Sequence, residues 1–195
     1  VNHAELRASL ERRTGVAFDA AAQTEFLNDA LRAVATEADW PWLETTVTVA
    51  LAAGDAVYAL PTGYLDTRSV TSAGRSLERI AIEDADRFAS WQSAPPLAYA
   101  IEGADLVVCP TPAAVGELLH RYTAAETVLA ADGDVPLLPA SFHPVVVCYA
   151  SRVMMDRLDQ PRRAGRFDDE FQAWIRQMAS HVHRGGRRKV RLRNW

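Results

Sequence analysis

Apolar and polar positions change their spacing twice along this 195-residue chain, and the changes predict a helical frame interrupted by a β-rich stretch. Between residues 2 and 13, Leu6 and Leu10 share one face of a short helix that Asn2 is placed to cap and Thr14-Gly15 to stop. From Ala20 to Asp39, Phe26, Leu27, Ala30, Leu31 and Val34 recur at helical spacing behind an Asp19 cap. The stripe is wide enough to pack on two neighbours. Trp40-Pro41-Trp42 ends that helix, because Pro41 disfavours helical geometry in the residue before it. Two tryptophans around a proline read as a packing plug at the joint between sub-structures.

From Thr45 the period falls to two. Thr46 to Leu51 alternates polar with apolar, Ala53-Gly54-Asp55 turns, and Ala56 to Leu60 returns, which predicts a hairpin. Further strands are predicted over Thr67–Ser72, Leu77–Ile82 and Glu117–Thr123, with a second hairpin joining Leu97–Ile101 to Leu106–Cys109 through Glu102-Gly103-Ala104-Asp105. A short helix fits Glu83–Trp91, and Pro110-Thr111-Pro112 bars continuation of the strand before it. Helical spacing returns after Pro139. Ser141 is placed to cap a helix to Leu158 with Val145, Val146, Tyr149, Val153 and Met154 facing a core, and Asp159-Gln160-Pro161 stops it. A last helix, Phe167 to His181, carries Phe167, Phe171, Trp174, Ile175 and Met178 on one side. Asp168, Asp169 and Glu170 would sit in its first turn, where carboxylates suit the helix dipole.

The fold class is therefore α+β: a helical core of two to four helices with an inserted antiparallel β-sandwich or barrel-like sub-domain and an extended C-terminal arm. The boundaries expected are 1–43 for the N-terminal helices, 44–125 for the insertion, 126–182 for the C-terminal helices and 183–195 for the arm.

Composition sharpens the arm. Hydrophobic residues at 49% and charged residues at 24% are ordinary globular values, but charge is unevenly placed. Arg184, Arg187, Arg188, Lys189, Arg191 and Arg193 fall in the last thirteen residues, with no acid among them. The other 15 of the 21 basic residues face all 25 acidic ones, so a body of about −10 ends in an arm of about +6. Gly185 and Gly186 uncouple the arm, and Val190, Leu192 and Trp195 give it apolar anchors that a solvating tail would not need.

Candidate chemistry is sparse. His3, His120, His143, His181 and His183 show no zinc-protease or Cys-His spacing. Asp132-Gly133-Asp134 lacks the further oxygen ligands of a calcium loop and reads as a turn. No nucleophile elbow, P-loop or dinucleotide fingerprint is present, and Glu78, Glu83 and Asp86 read as a solvated face. No catalytic, cofactor or metal residue is assigned, and the expectation is a protein that is not an enzyme. Cys109 and Cys148, far apart within apolar runs, read as reduced, buried thiols. No apolar run approaches the roughly 18 residues of a membrane span, and the first residues lack a signal-peptide pattern.

The order of features resembles the head-to-tail adaptor (head-completion or connector) proteins of tailed bacteriophages. The resemblance rests on Phe26 to Leu31 leading into Trp40-Pro41-Trp42-Leu43, then Tyr58-Ala59-Leu60-Pro61 and the strand Val70…Gly74…Leu77. It continues through Pro96…Tyr99-Ala100-Ile101-Glu102-Gly103, Val108-Cys109-Pro110-Thr111-Pro112, Leu118 to Tyr122, Asp134 to Pro139 and two helices. It implies a structural virion protein, synthesised in the host cytoplasm and seated at the neck as a ring, usually of twelve copies. The implied partners are the portal protein above, a tail or stopper protein below and DNA passing through the lumen. No membrane partner is implied. The arm residues named above would be the portal-docking set. A nucleic-acid-binding module, gripping phosphates with the arm, is the alternative reading.

Overall fold

The computed structural model describes residues 1–88, 92–93 and 95–184. It divides the chain into two compact units, Val1–Leu43 together with the chain from Ala125, and Glu44–Ala124. The helices are α1 (His3–Thr14), α2 (Ala20–Glu37), α3 (Ile82–Ala85), α4 (His143–Arg157) and α5 (Pro161–Arg184).

The first unit is built from α1, α2, α4 and α5. Asn2 caps α1 in a reciprocal capping box with Glu5, and Gly15, at φ 66°, closes it in the left-handed conformation a glycine takes without strain. Asp19 caps α2 by accepting from the Ala22 N–H at 2.8 Å. The core joins Leu6 and Leu10 of α1, Phe26, Leu27, Leu31 and Val34 of α2, Val145, Val146 and Met154 of α4, and Phe167, Phe171, Ile175 and Met178 of α5. Trp40 lies fully buried in this core, its indole N–H donating to the Val34 carbonyl at 2.6 Å and its ring stacked on Trp42 at 4.9 Å. Trp42 in turn meets Phe142 at 6.0 Å, so the tryptophan pair packs as part of the helical core.

The second unit contains β1 (Glu44–Leu51), β2 (Val57–Ala59), β3 (Tyr64–Ser72), β4 (Arg75–Ser76), β5 (Glu78–Arg79), β6 (Gln92–Ser93), β7 (Ala98–Glu102), β8 (Asp105–Cys109), β9 (Thr111–Pro112) and β10 (Gly116–Ala124). An antiparallel sheet runs β1-β10-β3-β4, and a second runs β2-β8-β7-β5 with β5 parallel to β7. Leu51, Val70 and Leu118 from the first sheet and Tyr99, Leu106 and Val108 from the second share one buried cluster, so the inner faces pack as a sandwich. Ile82, Ala85 and Phe88 cover Ala98, Ala100 and Cys109 on the other side of the second sheet. Cys109 and Cys148 are both buried, as their apolar runs predict.

Several local expectations change. β1 and β2 do not form a hairpin: β1 pairs with β10, and β2 with β8 in the other sheet. Local alternation specifies a strand but not its neighbour, and the turn between these two carries the chain from one sheet to the other. A two-residue strand, β9, follows Pro110 and pairs parallel with β6. The helical segment expected over Glu83–Trp91 begins at Ile82 as α3 and tightens into a 3-10 turn at Asp86–Phe88. Ser141 is not a cap; it lies in a 3-10 turn, Ala140–Phe142, and α4 starts at His143 without a side-chain cap. Pro161 opens α5 instead of closing the region, because the missing N–H of proline is harmless in a first turn. Asp168, Asp169 and Glu170 consequently lie in the third turn of α5, and the dipole account of them fails.

Candidate functional site

α5 carries the chain towards the arm. Its apolar stripe, Phe167, Phe171, Ile175, Met178 and Ala179, is buried, Val182 packs on the same core, and His181 sets its ring edge-on to Phe142 at 5.4 Å. The backbone is helical to Arg184, the first basic residue of the expected docking set. Arg187, Arg188, Lys189, Val190, Arg191, Leu192, Arg193 and Trp195 lie outside the described residues.

The acids of α5 serve as ties. Glu170 pairs with Arg13 of α1 and lies 3.6 Å from Arg166, while Asp168 faces Arg152 of α4 at 3.4 Å. Arg163 donates to the Thr14 carbonyl at 2.7 Å, satisfying a C-terminal carbonyl of α1. These partners locate the start of α5 against two other helices. A groove of about 480 Å³ opens between α2, α4 and α5, with Asp29, Arg32, Glu37, Arg152 and Asp168 on its walls. The Arg152 guanidinium lies over the Tyr149 ring at 4.5 Å.

A strap of irregular chain, residues 125–139, is held by groups that no local pattern marked. The Asn28 side chain donates to the Leu129 carbonyl at 2.9 Å and accepts from its N–H at 2.8 Å. His3, buried, places Nδ1 at 3.2 Å from the Ala131 carbonyl and Nε2 at 3.0 Å from the Thr24 hydroxyl. The Asp134 carboxylate accepts from the Ala130 and Ala131 N–H groups, and these two bonds hold it below the usual carboxylate range. Asp132 pairs with Arg7, so the Asp132-Gly133-Asp134 segment is a turn with its acids engaged.

In the sandwich, His120 is fully buried, with Nε2 at 3.0 Å from the Thr67 hydroxyl, which in turn lies 3.0 Å from the Tyr64 hydroxyl. Tyr64 and Tyr122 flank the ring, and Nδ1 has no partner among the described residues. Burial lowers its pKa and holds it neutral. Glu78 and Glu83 are exposed, and the side chain of Asp86 lies outside the described residues. The outer face of the first sheet forms a shallow hollow of about 640 Å³ that includes Thr48, Thr71, Val115, Glu117 and Leu119. Among the described residues no group of three or more His, Cys, Asp or Glu side chains is placed to hold a metal, and no helix is long and apolar enough to cross a membrane.

Among the described residues a helical unit and a β-sandwich unit carried within its chain make an α+β architecture. The chain belongs to the SU10 adaptor protein family, whose model matches residues 1–193 and so takes in both units and most of the arm. It is a family of phage adaptors, structural rather than catalytic. No curated protein matches the chain at a significant level.

Proposed function

We propose that this protein is the head-to-tail adaptor ring of a tailed phage, twelve copies seated at the neck, which docks on the portal through its C-terminal arm. The observation that carries the reading is the family match over residues 1–193 in a chain whose charge separates into an acidic body and a basic arm. Arg184, Arg187, Arg188, Lys189, Arg191 and Arg193 engage acidic or polar portal surface, where the planar arginine fork holds a carboxylate with two hydrogen bonds. Val190, Leu192 and Trp195 fill apolar slots between portal subunits. Twelve arms on one ring multiply a weak single contact through effective concentration. The opposite side of the ring meets a stopper or tail protein, and an acidic lumen repels DNA phosphates so that the duplex slides.

The test is a chain ending at Arg184, mixed with portal. That end point keeps α5 whole, including Val182, which packs on the core. Loss of co-purification supports the reading; assembly equal to full length removes the arm as the anchor. Duplex DNA binding by the full chain that weakens steeply with salt, with a slope near the number of basic contacts, would instead favour the nucleic-acid module.

A further inference from the structure

The first sheet of the sandwich ends in β1, which among the described residues pairs with β10 on one side and with no strand on the other. Its register with β10 runs unbroken from Glu44↔Thr123 to Leu51↔Gly116. From Thr45 to Leu51 it has no charge, no proline and no bulge. The other open edges are blunted in the usual ways. On the opposite side of the same sheet, β4 pairs with β3 at Thr71 and Ser72, the Val70 carbonyl accepts from Leu77 N–H, and the remainder of β3 carries Asp66 and Arg68. β2 is three residues long and β5 two.

The face beside β1 is self-complementary in charge. Thr46 stands opposite Arg121 and Ala50 opposite Glu117, with Thr48 and Leu119 midway between these rows. Arg121 and Glu117 are exposed, and neither has an ion-pair partner among the described residues. If β1 meets β1 of a second copy antiparallel with Thr48 opposite Thr48, Thr46 faces Ala50 of the other copy. Arg121 and the second copy's Glu117 then share a row about 14 Å wide, three strand spacings, bridged from both sides over two small residues. On the inner face Val47 meets Val49, an apolar cross-strand pair. Centring on Val47 would bring Glu44 into the row of Glu117, acid beside acid, and centring on Val49 would leave Arg121 without a counterpart.

We infer that β1 is a self-association edge on which two copies of this chain pair antiparallel, centred on Thr48. A two-fold pair is closed, so this contact is distinct from the cyclic contacts of a ring and joins copies of the free protein. Light scattering of the full chain over a concentration series reads it as a mass rising from one copy to two. Arg121→Glu sets like charges in one row and weakens the pair about two- to fivefold at low ionic strength, and less at high salt. Adding Glu117→Arg to the same chain restores it, which a merely structural role of either residue would not do. Under oxidation, Thr48→Cys chains cross-link with themselves, since directly opposed Cα atoms lie within disulfide range. Thr46→Cys chains do not, but do cross-link with Ala50→Cys chains. The inference is overturned by a single-copy mass throughout, by a mass that climbs past two, by a double reversal that fails to restore pairing, or by Thr46→Cys linking as readily as Thr48→Cys.

Discussion

Asn28, in the middle of α2, pairs with Leu129 as a neighbouring strand would, donating to its carbonyl and accepting from its N–H across 101 positions of sequence. Leu129 is itself buried, so its backbone groups have little water to turn to. Asn28→Ala strips both bonds and is expected to destabilise the protein by about 1–3 kcal/mol, the desolvation penalty of groups left unmade. Asn28→Asp keeps the acceptor and loses the donor, and falls between. Chemical denaturation with an unchanged m-value checks both; a loss below about 0.5 kcal/mol for the alanine variant would show that the strap is held elsewhere.

The proton linkage of the fold has a sign set by two buried histidines. Burial lowers the pKa of His120, and likewise of His143, whose Nε2 lies 2.8 Å from the Leu138 carbonyl. Below the ordinary histidine value of about 6.5 the unfolded chain binds more protons than the folded one, so stability falls with pH from there down to the lowered values. Glu126 acts oppositely: burial raises its carboxyl above the usual glutamate value, so its contribution is lost as pH rises through the raised value. Comparing wild type with the double histidine variant at pH 7 and pH 5.5 separates the histidine contribution from that of Glu126. The wild-type chain is expected to lose stability on acidification, and His120→Gln with His143→Gln to lose measurably less.

Much of this fold was legible because its signals are local. The Asn2 and Asp19 caps, the Gly15 stop and the stripe of α2 each act within a few residues. What escaped depends on partners far away in sequence. Alternation marked β1 and β2 as strands but could not tell that Val47 opposes His120 while Tyr58 opposes Leu106. Pro161 is ambiguous by nature, since proline both ends helices and starts them. The acids of α5 invited a dipole account, and their use became visible only with Arg13 and Arg152 beside them. Of the candidate site, the arm was legible as composition, whereas the charge rows beside β1 needed the register.

Trp40 is the largest fully buried side chain among the described residues of the helical unit. Trp40→Ala is expected to cost about 3–5 kcal/mol through the cavity it leaves. Trp40→Phe keeps most of the volume and the stack on Trp42 but leaves the Val34 carbonyl without its 2.6 Å donor, for about 1–3 kcal/mol. Near-ultraviolet circular dichroism separates them: the phenylalanine variant retains ordered aromatic signal that the alanine variant loses.

The turn between β3 and β4 carries removable strain. Ala73 and Gly74 both have positive φ, 48° and 76°, as a two-residue hairpin turn of the primed type demands. Glycine takes that conformation freely, but for alanine the left-handed region costs about 1–2 kcal/mol because Cβ crowds the following carbonyl. Asparagine tolerates it, and Asn-Gly is a favoured pair for this turn. Ala73→Asn is therefore expected to stabilise the sandwich by about 1 kcal/mol, a rise of roughly 2–4 °C in Tm for a chain of this size. Ala73→Val, β-branched at the same φ, should move Tm the other way. Equal melting of all three chains would mean that the turn relaxes without strain.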